Sequence, residues 1–402
     1  MLEVSEARSR ILEAMKPTGS ELVSLPEAAG RVLSQSVRAN VTNPPTDVSS
    51  MDGYAVRAED ACAGRLLAVI GEAPAGHPSD LSVDPGTSIR IFTGSVMPAG
   101  AEAVVIQENT ERRGANIFLT ENVQAGAFIR RAGQDFAAGD ILVAAGKRLG
   151  SRDIGLAAAG NAPWVSVYRR PRVAILSTGD ELVMPGEALP PGGILGSAGL
   201  MLQALLRSAG ADVVLLPVAR DDEAEIRRLV SGLDAIDLLV TIGGASVGDY
   251  DLVQSALKAA GLRTEFWKIA MRPGKPLMFG HLGRVPMVGL PGNPVAAYVC
   301  ALRFLLPAIR VLSGCADVFD EPVTALVTET LPANDRREDH LRATLGRSES
   351  GQLTVTPYGR QDSAMMATLA GADALILRAP YAAELEAGEF CPVFVLPEGK
   401  SR

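Results

Sequence analysis

Short apolar runs alternate with segments of helical spacing through the middle of the chain, from about residue 172 to residue 311. Buried strands are predicted over 173–176, 213–218, 237–240 and 286–290. The helices predicted to follow them span 197–209, 223–230, 252–260 and a stretch ending near 311. Gly210 and Gly261 are expected to close two of these helices. Repeated strand–helix units predict an open, mostly parallel α/β sheet with right-handed crossovers.

The two ends of the chain have different patterns. Residues 3–15 have the spacing of an amphipathic helix, and further helical pieces are expected from Pro26 to about Ser36 and over 154–159. Short strands and turns fill 47–136, most clearly at 88–92 and 103–107. Near the C-terminus, strands are predicted over 323–328, 353–355, 374–377 and 391–396.

These patterns predict an α/β multidomain protein. Asn43–Asp47 is a break in composition and marks a domain boundary. The predicted units are an elongated, discontinuous helical domain (1–46 with 137–170), an inserted β-rich domain (47–136), an α/β domain (171–320) and a small C-terminal β-barrel (321–402). Two sequential N-terminal domains, without an insertion, are the alternative.

The amino-acid composition argues against several functional classes. The 402 residues are 47% hydrophobic and 21% charged, which is typical of a globular protein with a large core. A net charge of −8 argues against a general binder of nucleic acid or of anionic membranes. The four cysteines have no CxxC spacing and the three histidines stand alone, so neither a zinc nor a redox site is expected. With no signal peptide and no apolar run expected to span a membrane, a cytoplasmic location is predicted.

The turn at 241–251 follows the third predicted strand and carries the densest candidate chemistry. Its glycines, which allow close approach to a ligand, are Gly243, Gly244 and Gly248. The N–H groups of such a loop attract anions, yet the loop ends in Asp249 and Asp251. A divalent cation, most simply Mg²⁺, would join these carboxylates to a phosphate or oxyanion. The alternative is that the aspartates only cap the next helix.

Other polar turns follow the remaining strands. The ends of parallel strands meet at one edge of a sheet, so Glu181, Asp221 and Asp251 are expected to converge there. The segment 272–276 could bring two cations, Arg272 and Lys275, to the same edge. These groups together predict a site for a phosphorylated ligand and Mg²⁺.

A set of ordered motifs carries a resemblance to a known family. The motifs are Ser50–Ala55, Thr93–Gly94, Ser177–Glu181, Gly243–Gly248 with Asp251, Pro273–Pro276 and Leu290–Pro294. In this order they resemble the molybdopterin molybdenumtransferase family, called MoeA and shared with the C-terminal part of gephyrin. The resemblance covers essentially the whole chain. It implies Mg²⁺-dependent insertion of molybdate into adenylylated molybdopterin, with release of AMP, by an elongated homodimer whose clefts lie between subunits.

The resemblance also implies roles for individual residues. Catalytic roles are implied for Asp52, Thr93, Asp135, Glu181 and Lys275. Substrate binding is implied for Thr178, Gly179, Ser197, Gly243, Gly244, Ser246, Gly248, Pro273, Gly274, Pro291, Gly292, Asn293 and Pro294. Metal binding is expected of Asp221, Asp249 and Asp251. Asp52 and Glu181 would assist proton transfer near molybdate, and Lys275 would neutralise the pyrophosphate of the ligand.

One triplet departs from the family pattern. Where relatives carry Asp-Ser/Thr-Asn, this chain has Gly196-Ser197-Ala198, and only Ser197 is left as a helix cap. A working enzyme with weaker ligand binding is therefore expected. The alternatives are a non-catalytic carrier of molybdopterin or its cofactor, and a molybdopterin adenylyltransferase. An upstream adenylyltransferase and apo-molybdoenzymes are candidate partners, and tungstate is a candidate substrate beside molybdate.

Overall fold

The computed structural model describes residues 1–243 and 252–397. In the first 170 residues short strands outnumber helices. The elements are α1 (Val4–Ala14), β1 (Ser20–Ser24), β2 (Val37–Arg38), β3 (Val48–Ser49), β4 (Gly53–Val56), β5 (Leu66–Ala73), β6 (Thr87–Ile91), β7 (Ala103–Ile106), β8 (Thr110–Arg113), β9 (Asn116–Leu119), β10 (Ile129–Arg130), β11 (Ile141–Val143), α2 (Ser151–Ala159) and β12 (Trp164–Tyr168).

The chain leaves the first region and later returns to it. β1 pairs with β12, β2 with β11 and β3 with β10, all antiparallel, so distant segments close on one another. Between them lies a six-stranded sheet in the order β7-β4-β6-β5-β9-β8. This pairing is the arrangement that an inserted β-rich domain requires, although the domain boundaries themselves stay a prediction.

The helix predicted from Pro26 to Ser36 is wrong. Only Leu25–Glu27 form a single 3₁₀ turn. Gly30 has a φ of 74°, which ends helical geometry, and the next residues pair instead with neighbouring segments. The backbone N–H of Leu33 donates to Lys147 O at 3.0 Å, and that of Ser34 donates to Ser166 O at 3.0 Å. Long-range backbone pairing therefore overrides the local helical spacing.

The elements from Arg172 to Leu312 form an α/β unit with the predicted strand–helix alternation. Its elements are β13 (Arg172–Ser177), β14 (Leu182–Val183), β15 (Ile194–Leu195), α3 (Ser197–Ser208), β16 (Asp212–Leu215), α4 (Glu223–Val230), β17 (Leu238–Ile242), α5 (Leu252–Ala259), β18 (Leu262–Trp267), β19 (Met271–Arg272), β20 (Met278–Leu282), β21 (Val285–Leu290), α6 (Pro294–Cys300), a π-helical segment (Ala301–Leu305) and α7 (Leu306–Leu312). The strand order is β16-β13-β17-β21-β20-β18, and the first four strands are parallel.

Both faces of this sheet are covered, which explains its continuous apolar strands. Alternate strand residues such as Val173 and Val240 pack with α1, α3, α6 and α7 on one face. Ala174 and Leu239 pack with α4 and α5 on the other. The ends of β13, β16, β17 and β21 consequently lie side by side at one edge, as the sequence predicts.

Within the described ranges, one helical stretch meets the length and composition of a membrane span. It is Pro294–Leu312, with a mean hydropathy of 1.8. Inside the protein, 72% of this stretch is buried, where it packs under the sheet. That burial is typical of the core helix of a globular domain.

Residues 321–397 close into a small barrel. Its elements are β22 (Val323–Val327), β23 (Glu338–Arg347), β24 (Leu353–Pro357), α8 (Met366–Ala370), β25 (Ala374–Arg378) and β26 (Phe390–Val395). The pairing β23-β24-β22-β26-β25 returns to β23, so the five strands form a closed ring. The short strand β19 pairs in parallel with the first two residues of β23 and connects the barrel to the α/β unit. The predicted fold class is confirmed, but β23, the longest strand, was missed by sequence analysis.

Candidate functional site

Loops at the carboxyl edge of the sheet contact one another closely. Gly243 has a φ of 95°, and a Cβ there would lie 2.7 Å from Thr178 O. On the other side, a Cβ on Gly292 would lie 3.5 Å from the Cα of Gly243. Only glycine allows the approach at position 243. The loops after β13, β17 and β21 are therefore neighbours, which places Thr178, Gly243 and Gly292 together as predicted.

Three carboxylates gather at the β13–β16 end of this edge. The backbone N–H of Asp221 donates to Asp180 Oδ1 at 3.1 Å. Asp221 is exposed, but nearby protein atoms remove part of the water around its carboxyl, and this desolvation raises its pKa. The negative charges of Asp180 and Glu181 raise it further. The predicted convergence of Glu181 with Asp221 is observed, and Asp180 is a member that the sequence analysis missed.

Helix capping does not account for Asp221. The N-cap of α4 is Asp222, whose side chain accepts from Glu225 N at 2.7 Å. The other expected residues of the glycine turn, Gly244, Ser246, Gly248, Asp249 and Asp251, lie outside the described residues. Within the described ranges, no group of three His, Cys, Asp or Glu side chains has the geometry to hold a metal ion. The metal set therefore stays a prediction.

The Gly196–Ala198 triplet is arranged differently from expectation. Gly196, not Ser197, is the N-cap of α3, and no side chain caps this helix. Ser197 is the first helical residue, while Ala198 is only 7% exposed and belongs to the core. The expected cap at Ser197 is wrong because the helix begins one residue earlier than a serine cap requires.

The opposite end of the edge opens into a cavity of about 820 Å³ between the sheet and the barrel. On the sheet side it is lined by Pro273, Gly274, Lys275, Pro291 and Asn293. These residues form two of the predicted loops. Lys275 is exposed to the cavity and forms no hydrogen bond or ion pair within the described residues. The cavity thus gathers several of the expected binding residues around an available ammonium group.

The loop that carries Lys275 is held from two directions. Gly274 has a φ of 122°, and a Cβ there would lie 2.6 Å from the Sγ of Cys300 in α6. Arg272 donates from Nε to Asp339 Oδ1 on β23 at 2.7 Å, and its charge is shared with Asp335 at 3.5 Å. Arg272 therefore anchors the loop to the barrel and leaves Lys275 as the free cation of the predicted pair.

The barrel contributes cavity residues that the sequence analysis did not identify. The cationic side chains among them are Arg337, Arg342 and Arg378. Arg342 is 2% exposed and has no salt bridge within the described residues, because it donates only to Gln361 Oε1 and Met365 O. Burial lowers the pKa of this guanidinium, with the charge of Asp362 opposing. A buried cation without a bound carboxylate is suited to an anionic ligand.

Asn293 adds a polar group to the same cavity. It is the N-cap of α6, but its side chain makes no capping bond, and its buried Oδ1 has no hydrogen-bond partner. Pro294 follows as the first residue of the helix, so it fixes the helix start and contributes no donor. The unpaired Oδ1 can accept a hydrogen bond from a ligand.

Asp52 and Thr93 contact each other in the β-rich region. Asp52 Oδ1 accepts from Thr93 N at 2.7 Å and from Thr93 Oγ1 at 2.9 Å. The backbone N–H of Thr93, its hydroxyl and the charge of Arg90 lower the pKa of the exposed Asp52 carboxyl. Asp135 contacts Asn43, whose Nδ2 donates to Oδ2 at 3.0 Å. Among the described residues, none of these three lines the cavity beside Lys275.

Three segments of the chain match described families. Residues 2–160 match the MoeA N-terminal region (domain I and II), residues 174–311 a probable molybdopterin binding domain, and residues 324–396 the MoeA C-terminal region (domain IV).

Curated relatives cover most of the chain. A molybdopterin molybdenumtransferase of a Nostoc species is 39% identical over 81% of this chain and 77% of its own length. That of Haemophilus influenzae is 34% identical over 97% of both chains. Molybdopterin molybdenumtransferase 2 of Mycobacterium tuberculosis is 37% identical over 94% of this chain and 95% of its own.

The fold is also similar to solved structures. A molybdopterin biosynthesis MoeA protein from Pyrococcus horikoshii superposes with a TM-score of 0.84 at 28% identity, over 98% of this chain and 99% of that one. A second crystal structure, of the MoeA protein from strain OT3, gives a TM-score of 0.85 at 26% identity. The likeness extends over the N-terminal region, the α/β unit and the barrel together.

Proposed function

The chain belongs to the molybdopterin molybdenumtransferase family, called MoeA, and we propose that it inserts molybdate into adenylylated molybdopterin with release of AMP in a Mg²⁺-dependent reaction. As a member it is a transferase of molybdenum cofactor biosynthesis. The observation that carries the finer proposal is Arg342, a buried cation without a carboxylate partner in a large cavity beside Lys275. Substrates with oxyanion groups match such a pair of cations.

The two ends of the sheet edge suit different parts of the reaction. The cavity cations Lys275 and Arg342 are proposed to hold the oxyanion groups of the substrates, whether molybdate or phosphate, and to stabilise negative charge on the departing AMP. Asn293 would accept a hydrogen bond from the bound ligand through its unpaired Oδ1. Thr178, Gly179 and Ser197 are proposed to complete the ligand-binding loops.

The acidic end is proposed to hold Mg²⁺. Asp221 fits this role because partial burial and the charges of Asp180 and Glu181 raise its pKa, and a divalent cation would offset the repulsion among the three carboxylates. Asp249 and Asp251 remain proposed ligands from the adjoining turn. When bound, Mg²⁺ would offset charge on the phosphates of the ligand.

Protons must also move, because the oxygens that leave molybdate depart as water and take up the protons that the two thiols of molybdopterin lose on binding the metal. Asp52, whose lowered pKa keeps it ionised near neutral pH, is proposed to accept these protons from the thiols and pass them to the departing oxygens. Thr93 would hold the Asp52 carboxylate through its two hydrogen bonds, and Glu181 and Asp135 are proposed to assist. Asp52, Thr93 and Asp135, which belong to the β-rich region, would reach the cavity of a partner subunit, which requires a homodimer.

The homodimer and its shared cleft can be tested by mixing subunits. Asp52→Ala and Lys275→Ala subunits should each be inactive alone. Mixed, they should recover activity, because one of the two clefts in a mixed dimer receives both native residues. A monomer in light scattering, or no recovery on mixing, would contradict the shared cleft.

The reaction is tested by incubating the protein with adenylylated molybdopterin, Mg²⁺ and molybdate. We expect AMP release and transfer of activity to an apo-molybdoenzyme, with Arg342→Gln releasing AMP far more slowly. Tight binding of the adenylate with no AMP release would instead support the carrier, and formation of the adenylate from nucleotide would support an adenylyltransferase. Replacing molybdate with tungstate in the same assay measures metal preference. A cytoplasmic location belongs to the proposal and is tested by cell fractionation.

A further inference from the structure

Three ionisable side chains, one fully buried and two mostly buried, meet where the barrel packs against the long C-terminal helix of the α/β unit. Arg303 lies in the π-helical segment, and Glu338 and His340 lie on β23. Arg303 Nη2 donates to Glu338 Oε1 at 3.1 Å, and His340 Nε2 lies 3.2 Å from the same oxygen. The guanidinium of Arg303 also stacks over the ring of Phe394, with its Cζ 4.5 Å from the ring centroid. The carboxylate of Glu338 therefore contacts two basic side chains. The contact between β23 and the π-helical segment is called the seam below.

The side chain of His340 is inaccessible to solvent, although the residue also belongs to the cavity wall. Its side chain is 0% exposed, and across the sheet it faces Leu377 of β25. Neither ring nitrogen has a hydrogen bond of good geometry, despite the close approach to Glu338. The charged groups acting on it are Glu338 and Asp339 of its own strand and Arg303 from the π-helical segment. The carboxylate of Glu338 is already paired with Arg303, so a charged imidazole would place a second buried cation in the seam.

The strand that carries His340 also builds the cavity. Asp339 holds Arg272, which begins the Lys275 loop. Arg342 lies two residues after His340 and therefore on the same side of β23. The backbone N–H of Glu338 donates to Ala270 O at 2.9 Å. A movement of β23 away from the helix would consequently displace cations on both walls of the cavity.

We propose that His340 is a positioning residue, which keeps β23 seated against the π-helical segment only while its imidazole is neutral, so that acidification weakens oxyanion binding in the adjacent cavity. The inference rests on the proposed function, because it takes this cavity as the oxyanion site. His340 itself does not touch the ligand in this proposal. It acts through Arg342 and through the Asp339–Arg272 pair.

The direction of the pH effect follows from burial. Burial lowers the pKa of His340 below that of a free histidine, with Glu338 and Asp339 opposing and Arg303 adding to the fall. The neutral side chain therefore contributes full stability to the seam above about pH 6.5, the ordinary histidine value. This contribution is lost as the pH falls through the lowered pKa. Oxyanion affinity should fall over the same range.

The test is calorimetric binding of molybdate and of sulfate, which keeps its charge, at about pH 7.5 and about pH 5.5. For the unaltered protein we expect the dissociation constant to rise about tenfold on acidification, which lies within the usual range of coupling between two sites. His340→Phe, which fills the site without a titrating group, should remove most of this rise. His281→Phe is the matched control, since His281 is partly exposed and paired with Glu265 on another strand. It should leave the rise unchanged.

Glu338→Gln tests the same idea with His340 in place. Removing this carboxylate withdraws the group that favours protonated His340, so its pKa should fall further and the loss of affinity should move to lower pH. The Arg303 charge left without its partner should lower thermal stability at every pH. Amide hydrogen exchange over 338–342, corrected for intrinsic rates, should report opening of the seam independently of ligand.

Each outcome is decisive. A pH response of affinity and of exchange that disappears in His340→Phe and moves to lower pH in Glu338→Gln supports the proposal. Binding that is independent of pH, or whose pH response survives in His340→Phe, overturns it. Absence of oxyanion binding at both pH values, in a folded protein, would overturn the proposed function and this inference with it. That last result is recognisable because no affinity is left to compare.

Discussion

The two ends of one sheet edge have opposite charge. At the β13–β16 end, Asp180 and Glu181 lie close to Asp221, and partial burial together with their charges raises the pKa of its carboxyl. At the β21 end, Lys275 and the buried Arg342 line a cavity of about 820 Å³. Unpaired charges of like sign cost free energy in a folded protein. The cavity is also lined by Glu329, Asp339 and Asp362, but Lys275 and Arg342 form no ion pair within the described residues. An edge with clustered carboxylates at one end and two such cations at the other is suited to a ligand that brings both a metal ion and oxyanions.

The two ends are also built differently. The acidic end uses loops that directly follow β13 and β16, so adjacent parallel strands bring their carboxylates together. The cationic end joins a loop of the α/β unit to a strand of the barrel through the short pairing of β19 with β23. The acidic end therefore depends on local sheet topology, whereas the cavity depends on how two separately closed units pack.

Removing the buried cation should have the largest effect. Arg342→Gln should raise the dissociation constant for molybdate about a hundredfold, as the loss of charged hydrogen bonds worth roughly 3 kcal/mol gives. The melting temperature should stay the same or rise, since this guanidinium has no ion pair to lose within the described residues. Arg347→Gln, at the far end of β23, is the control and should keep normal affinity. If both variants bound molybdate with the same affinity, Arg342 would not be an oxyanion-binding residue, and the proposed difference between the acidic and cationic ends would be wrong.

At the acidic end the expected effect is smaller. Asp221→Asn should weaken Mg²⁺ binding about tenfold, near the lower limit of roughly 1.5 kcal/mol for a charged contact. Stability without Mg²⁺ should not fall, because repulsion from Asp180 and Glu181 is relieved.

The neighbouring residue offers a matched comparison for that variant. Asp222→Ala removes the N-cap of α4, so it should cost about 1 kcal/mol of stability and leave Mg²⁺ affinity unchanged. Thermal melts and metal titrations of both variants separate the two roles. If Asp221→Asn lowered stability while Mg²⁺ still bound normally, Asp221 would be structural.

This contrast explains what the sequence could predict. Strand–helix periodicity located β13, β16, β17 and β21, and parallel pairing then brought Glu181 near Asp221 without any further information. Gly210 and Gly261 were expected to close helices, and both have a φ of 98°. Apolar spacing and glycine turns carry such features because they arise within one strand–helix unit.

The remaining features depend on distant segments. Arg342 lies on a strand with no clear alternation, and only the packing of the barrel on α6 turns it into a cavity wall. The region of Leu33 has helical spacing, yet its N–H groups bond to Lys147 and Ser166, more than a hundred residues away. The sequence suggested that Arg272 would be a second cation available to a ligand, but in the fold its side chain is paired with Asp339. No local pattern reports these partners.

Proton competition should have a still smaller effect at the acidic end. Asp221 has a raised pKa, so without metal it disfavours the folded state as the pH rises from about 4, the unfolded aspartate value, through the folded pKa. Mg²⁺ binding should weaken as the pH falls through the same range, because protons and metal compete for the carboxylate. Metal titrations at several pH values measure this slope. Asp221→Asn should flatten it, and an unchanged slope would assign the pH response to another group.

The smallest effect is expected at the start of α3, where Gly196 caps the helix without a side-chain bond. A Cβ there would meet only ordinary contacts, the nearest being Val183 O at 3.5 Å, so Gly196→Asp should fit. Aspartate exceeds glycine as an N-cap by a few tenths of a kcal/mol, so the melting temperature should rise by no more than about 1 °C.

Ala198→Asn provides the contrast at the same helix start. Ala198 is 7% exposed within the core, so an amide there loses its water and should cost about 1–3 kcal/mol. Restoring both polar residues should therefore not tighten ligand binding, although the family pattern alone suggests that it would. Thermal melts and molybdopterin titrations of the two single variants and the double variant decide the point. If the double variant melted at the native temperature and bound its ligand tenfold more tightly, the buried position of Ala198 would have to be wrong.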